Sequence, residues 1–252
     1  MTRALLEAGH RVSVVAHSDV DALRSIELET AMRFGKDRLL GVRADISRVG
    51  DCERAVGRTL HAFGRIDILV NNAGRYFPSF DAEGNVVPVK FWKSSAEEWR
   101  EAIETNLNGA YYMARLVAAP MIERHFGRII NISTSWRSLV RNGHGSYGPS
   151  KAALEASTAA WAKDLAGTGV TCNVLLPGGA SDTRMSAGVA RSKENPLLSP
   201  EVMAAPIVWL ASERSAAWTG RRFVAKDWDV TLPPDEAAMK AASPAAVEPI
   251  II

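Results

Sequence analysis

The sequence predicts one doubly wound α/β domain, a parallel sheet with helices on both faces, and two observations carry that expectation. Short runs rich in Val, Ile and Leu recur at 12–16, 39–42, 66–70, 128–132 and 170–176. They barely alternate with polar residues, as strands buried on both faces should read. Segments of helical period lie between them, at about 2–9, 19–34, 48–63, 95–125 and 147–168. Strand–helix–strand repetition of this kind builds a parallel sheet covered on both sides. The chain of 252 residues suits a single domain, taken here as 1–232, with a tail at 233–252.

The first helical segment ends at Gly9, a helix cap, and the strand at 12–16 follows directly. A dinucleotide-binding unit opens with a strand and a glycine-rich turn ahead of that helix. Here the first strand and its turn are missing, and the expectation is a start assigned late rather than a damaged gene. The next strand, 39–42, leads into Ala-Asp-Ile at 44–46, and the strand at 66–70 leads into Asn-Asn-Ala-Gly at 71–74. The long link 75–95 carries Tyr76, Phe77, Phe80, Phe91 and Trp92, which can wall a pocket or pack beneath the loop. Asn106 sits within the helix at 95–125. The strand at 128–132 runs into Ser133, Thr134 and Ser135, and the helix from about 147 opens Tyr-Gly-Pro-Ser-Lys. Trp136, Arg137, Arg141 and His144 precede Tyr147 and are expected to face a substrate, an Arg there suiting an acidic group. After the strand at 170–176 comes Pro-Gly-Gly at 177–179. Ligands in such sheets sit beyond the carboxyl ends of the strands, where most of these motifs fall. The Ala- and Pro-rich tail ends in Pro-Ile-Ile-Ile, a disordered end or a partner contact.

Composition narrows the function. A net charge of +2 without a long basic run argues against nucleic acid and anionic membranes as partners. No apolar run approaches the ~20 residues that span a bilayer, and the first fifteen residues lack the apolar core of a signal peptide. Cys52 and Cys172 form neither a disulfide framework nor a metal-ligand spacing, and they fit a reducing cytoplasm. The five histidines show no ligand spacing, so no metal is expected. The hydroxyl cluster at 133–135 lacks the flanking glycines of a hydrolase nucleophile elbow.

Tyr147 and Lys151 are four residues apart, which puts both on one helix face. A free phenol has a pKa of about 10 and is a poor base near neutrality. An ammonium ~4 Å away at an effective dielectric of ~20 contributes roughly 4 kcal/mol, an upper limit of about three pKa units. The pair is therefore expected to bring the phenol towards the operating pH.

In their order and placement, the Asn-Asn-Ala-Gly run, Asn106, the hydroxyl cluster, Tyr147 with Lys151, and Pro-Gly-Gly resemble the short-chain dehydrogenase/reductase family over about residues 1–230. The resemblance implies a Rossmann-like fold and hydride transfer between NADP or NAD and a carbonyl/secondary alcohol pair. It gives Tyr147 the role of general acid/base, has Lys151 also hold the nicotinamide ribose, and has Asn106 anchor a water in a proton relay. The family usually places a serine thirteen residues before the tyrosine; Thr134 stands there, with Ser133 and Ser135 as alternatives. By the same resemblance Asn72, Ala73 and Gly74 flank the adenosine ribose, and Asp45, beside Ile46, accepts from the adenine amino group. Pro177, Gly178 and Ala180 line the nicotinamide, with Thr183 following, and residues 185–199, where family members vary most, are expected to form a lid. His17 occupies the position that reads the ribose 2′ group; without a carboxylate there, NADP is favoured over NAD. The substrate is expected to be a small ketone or alcohol, such as a 3-oxoacyl group, a sugar or a steroid-like ring. A homo-oligomer, dimer or tetramer, is expected to form through helices near 101–120 and 150–166, around Trp161. The rival reading is a catalytically inactive binding or scaffold protein of the same fold, because the phosphate-binding turn is missing.

Overall fold

The computed structural model describes residues 1–83, 86–186 and 196–245. After a short helix α1 (Thr2–Glu7), strand β1 (Val12–Ala16) crosses over through α2 (Val20–Phe34) to β2 (Leu39–Arg43). The two strands pair in parallel, Val12 opposite Leu39 and Ala16 opposite Arg43. Helix α3 (Val49–Phe63) then leads to β3 (Ile68–Asn71). The link after β3 folds a small antiparallel hairpin, β4 (Ser79–Phe80) with β5 (Val86–Val87). Helices α4 (Ala96–Ile103) and α5 (Gly109–Glu123) return the chain to β6 (Gly127–Ile132). A short α6 (Trp136–Leu139) and the long α7 (Tyr147–Asp164) then precede β7 (Val170–Leu176). The chain closes with α8 (Ala204–Leu210), β8 (Arg221–Val224), α9 (Pro234–Ala241) and β9 (Ala242–Pro244).

The main sheet has the order β3-β6-β7-β8-β9, parallel except for β9, while β1-β2 forms a separate ladder. Among the described residues no strand lies between β1 and β3. Every residue of β6 and β7 is buried, whereas every residue of β1 is only half-buried. On one side, Ile130, Leu175, Ile207, Trp209 and Phe223 pack into a cluster that also takes in Leu5 of α1. On the other, Ile129 and Cys172 pack against Val56 and Met121. At roughly 1.5–3 kcal/mol for each large apolar side chain fully buried, β6 and β7 dominate the stability of the sheet.

Two expectations from sequence change. The helix foreseen at 95–125 is broken by a π-helical turn at Glu104–Asn108, a local overwinding that recurs at functional positions. It begins just before buried Asn106 and hands over to Gly109, where a Cβ would come within 2.8 Å of the Ile46 side chain. Residues 234–245, expected as tail, instead join the fold. Pro234 opens α9, where its missing N–H costs nothing. Ala237, Ala238 and Ala241 are buried, Asp235 accepts from Trp209 Nε1 at 2.7 Å, and β9 pairs with β8. Small alanines buried close against the sheet carry little amphipathic signal, which is why the segment did not read as structure. The terminal Pro-Ile-Ile-Ile and residues 187–195 of the expected lid lie outside the described residues.

Candidate active site

Tyr147 is the first residue of α7, so the helix carries Tyr147, Lys151 and Glu155 on one face at successive turns. Lys151 is 3% exposed, and its Nζ donates to the carbonyl of Ile132 at 2.8 Å. Burial lowers its pKa to about 8, with the Glu155 carboxylate acting in the opposite direction. Burial raises the Tyr147 phenol above its ordinary value; a hydrogen bond with the Thr134 side chain pulls it down, and Tyr76 adds to the rise. The spacing argument had the ammonium drawing the phenol towards neutrality. In the structure desolvation prevails, because the ammonium is turned onto a strand carbonyl, and the phenol stays protonated at neutral pH. The rings of Tyr76 and His144 pack edgewise on Tyr147, with centroids 5.4 and 5.9 Å away.

The three hydroxyls at the end of β6 have separate partners. Ser133 Oγ turns inward and donates to Glu155 Oε1 at 2.5 Å. Ser135 caps α6, accepting from the Ser138 amide at 3.3 Å. Thr134 remains beside the phenol.

Asn106 is 1% exposed, and the π turn aims it at the same place. Its Oδ1 accepts from the Arg75 amide at 2.6 Å, while its Nδ2 donates to the Arg75 carbonyl and to Ser150 Oγ. Ser150 Oγ in turn donates to the Tyr147 carbonyl at 2.7 Å. Asn106 thus ties the segment after β3 to the first turn of α7. Sequence reasoning missed two supports. Asn71 Nδ2 donates to Asn131 Oδ1, and Asn131 Nδ2 to Thr158 Oγ1, both at 2.8 Å, a buried line joining β3, β6 and α7. Glu155 also meets Arg222 of β8 beneath the hydroxyl cluster.

The residues expected on the cofactor side fall at the strand ends. Asn72 and Ala73 are exposed beyond β3. At Gly74 a Cβ would lie 3.3 Å from Asn106 Oδ1 and 3.5 Å from Lys151 Nζ, so glycine leaves that space open. Gly178 has φ +93°, and a Cβ there would press on Lys226, whose amide donates to the Pro177 carbonyl. Ala180 is exposed, its carbonyl accepting from Leu198; Thr183 is exposed. At the far end, the His17 imidazole lies 3.8 Å from Asp45, as does the Arg48 guanidinium. Arg43 Nε donates to the His17 carbonyl. Burial works to raise the Asp45 carboxyl, but hydrogen bonds from Ser47 and the neighbouring His17 and Arg48 bring it below the usual range. Ile46 packs on Gly109 and accepts from Cys52 Sγ through its carbonyl.

These residues fit a nicotinamide dinucleotide at its nicotinamide–ribose end. Gly74 leaves a cradle beside Lys151, whose only acceptor among the described residues is Ile132 O, and one helical turn back along α7 Tyr147 is hydrogen-bonded to Thr134. A cavity of about 320 Å³ is lined by Lys90, Phe91 and Trp92, by Arg141, and by His144, whose ring packs on Tyr147. Trp136 lies elsewhere, its ring under the Arg222 guanidinium.

A sheet with its hydroxyl, phenol and ammonium gathered at the strand ends is the frame of a nicotinamide-dependent oxidoreductase. Comparison with known proteins gives the same class. A family model described as enoyl-(acyl carrier protein) reductase matches residues 1–226. A short-chain dehydrogenase of Monascus purpureus is 31% identical over 222 residues, 85% of this chain and 71% of the relative. An acetoacetyl-CoA reductase of Shinella zoogloeoides is 30% identical over 227 residues, 86% of this chain and 87% of the relative. A solved protein from Bacillus thuringiensis described as a 3-oxoacyl-reductase superposes with a TM-score of 0.73 at 26% identity, covering 88% of each chain. The chain belongs to the short-chain dehydrogenase/reductase family of NAD(P)-dependent oxidoreductases.

Proposed function

We propose that the protein reduces a 3-oxoacyl-type carbonyl to the alcohol with NADPH. The observation that carries this reading is the gathering of Tyr147, Thr134 and Lys151 at the strand ends, with His144, whose ring packs edgewise on Tyr147, lining the 320 Å³ cavity. The bound nicotinamide supplies the hydride. The Thr134 hydroxyl hydrogen-bonds the substrate carbonyl oxygen and fixes its orientation, and Tyr147 donates its phenolic proton to that oxygen as negative charge develops there. Lys151 holds the nicotinamide ribose and stabilises the phenolate left behind. Asn72, Ala73 and Gly74 take the cofactor along the end of β3, and Pro177, Gly178 and Ala180 line its nicotinamide side. Phe91 and Trp92 offer an apolar wall to an acyl chain, and Arg141 and Lys90 offer cations to an anionic carrier.

The preference for NADPH rests on the carboxyl ends of β1 and β2. Arg43 and His17 touch there, Arg48 lies across Asp45, and the nearby carboxylate of Asp19 is engaged as the cap of α2 and by Arg184. A 2′-phosphate at His17 would meet the Arg43 and Arg48 guanidiniums.

The test is a parallel fluorescence titration of the purified chain with NADPH and NADH, followed by reduction of acetoacetyl-CoA monitored through loss of NADPH absorbance. Saturable NADPH binding tighter than NADH, together with turnover, is the expected result. A folded chain that binds neither cofactor would overturn the reading in favour of a non-catalytic scaffold.

A further inference from the structure

Beneath the reacting groups lies a buried ion pair with no assigned part in the reaction. Glu155 stands one turn beyond Lys151 on α7, and Arg222 comes from β8 across the sheet; both side chains are 3% exposed. Arg222 Nε donates to the two carboxylate oxygens of Glu155 at 3.3 and 3.2 Å. Its Nη2 donates to the Thr134 carbonyl at 2.8 Å, and its guanidinium lies 4.8 Å over the Trp136 ring. Glu155 also takes the hydrogen bond of Ser133. Residues 133, 134 and 136 are therefore all held by one pair, which bracket the side chain of Thr134. The Arg222 carbonyl accepts from Ser243 of β9, so the closing strand braces the arginine from outside.

We propose that Glu155 and Arg222 are positioning residues, which fix the Thr134 hydroxyl against the Tyr147 phenol and anchor the helix face that carries Lys151.

An arginine fork suits this task and a lysine does not. The guanidinium spends its Nε on the carboxylate, one terminal nitrogen on a carbonyl and its flat face on an indole. A buried pair of this kind gives weak evidence for stability, since apolar residues of equal volume often serve as well. Its contacts, three of them on the loop that aims the catalytic hydroxyl, account for a pair at this position better than packing does. Glu155 also supplies negative charge to Lys151, favouring its ammonium. The groups facing the phenol are Thr134 from the end of β6, Tyr76 from the segment after β3, and His144 from the loop before α7. Of these, Thr134 is held by the pair.

This inference rests on the proposed reductase reading, so the test includes a measurement that needs no substrate. In protein labelled with [13Cζ]tyrosine, the Tyr147 resonance is assigned with Tyr147→Phe and titrated in wild type, Arg222→Lys and Glu155→Gln. Release of Thr134 in Arg222→Lys should move the phenol titration upward by about half a pH unit or more. In turnover with NADPH and acetoacetyl-CoA, Arg222→Lys should lower kcat roughly tenfold or more with the NADPH dissociation constant unchanged, the signature of an interaction made in the transition state. Loss of the negative charge in Glu155→Gln should shift the alkaline limb of the rate profile to lower pH. An unmoved Tyr147 titration in both variants would overturn the proposal even if wild type proves inactive on this substrate. So would an Arg222→Met/Glu155→Met double variant that folds and keeps wild-type kcat. Inactivity of wild type with a displaced phenol titration would count against the choice of substrate and for the positioning pair.

Discussion

The two ladders of the sheet differ in how tightly they are determined. The β3-β6-β7-β8-β9 ladder has two wholly buried central strands, and polar side chains cross it in continuous lines: Asn71 to Asn131 to Thr158, and Arg222 to Glu155 to Ser133. Its reacting groups hang from that framework. The β1-β2 ladder is half-buried in β1, and its charged groups, His17, Arg43, Arg48 and Asp45, meet partly in solvent. The proton transfer proposed for Tyr147 needs groups fixed within fractions of an ångström, which buried, desolvated hydrogen bonds favour. The ribose recognition proposed for His17 tolerates a looser, more exposed site.

The sharpest way to break this contrast is chemical. Tyr147→Phe should lower the reduction rate by ~10²–10⁴-fold with cofactor binding retained; a loss below tenfold would move the acid elsewhere. Stability comes next. Leu175→Ala, in the buried centre of β7, should cost about 2–5 kcal/mol in denaturant unfolding. Val14→Ala in half-buried β1 should cost about 1 kcal/mol, and the amides of β1 and β2 should exchange with solvent before those of β6 and β7. Equal costs would mean that the two ladders form a single cooperative unit.

The pH dependence is a smaller effect with a definite sign. The folded pKa of Lys151 falls from 10.5 to about 8, so between those values the unfolded chain binds more protons than the folded one. Stability from this group therefore grows as pH rises from about 8 to about 10.5, and it is absent below that window. Lys151→Met should flatten the slope of melting temperature against pH there. Reduction by the free enzyme should decline through about pH 8 as the ammonium is lost. Smallest of all, His17→Ala with Arg43→Gln should narrow the ratio of NADPH to NADH affinity by about tenfold, equivalent to ~1.4 kcal/mol.

Much of this architecture is legible in the chain. The strands at 12–16 and 170–176 appear with the bounds foreseen, because a run of Val, Ile and Leu between two helical segments leaves few other structures. Asn106, Thr134, Tyr147 and Lys151 converge because each lies at a strand end or on a helix facing it. The π turn was hidden, since the helical period of 95–125 runs straight through it. The sign of the Tyr147 shift was hidden as well, because spacing gives a distance to Lys151 but not the depth of burial. Arg222 stands 67 residues from Glu155, and no local pattern joins them. Glu155 was within reach: extending the four-residue step from Tyr147 through Lys151 lands on a carboxylate that the same helix face must bury.

One thiol is buried within the main ladder and one in the helix that follows β2. Cys172 is sealed in β7 and Cys52 in α3, against the loop that leaves β2, and neither is exposed. Burial raises both thiols, Cys52 to about 11, so neither offers appreciable thiolate while its surroundings stay closed. An alkylating reagent can therefore reach either sulfur only through an opening event. The labelling rate at Cys52 times the breathing of the nucleotide end, and the rate at Cys172 times the parting of the central sheet.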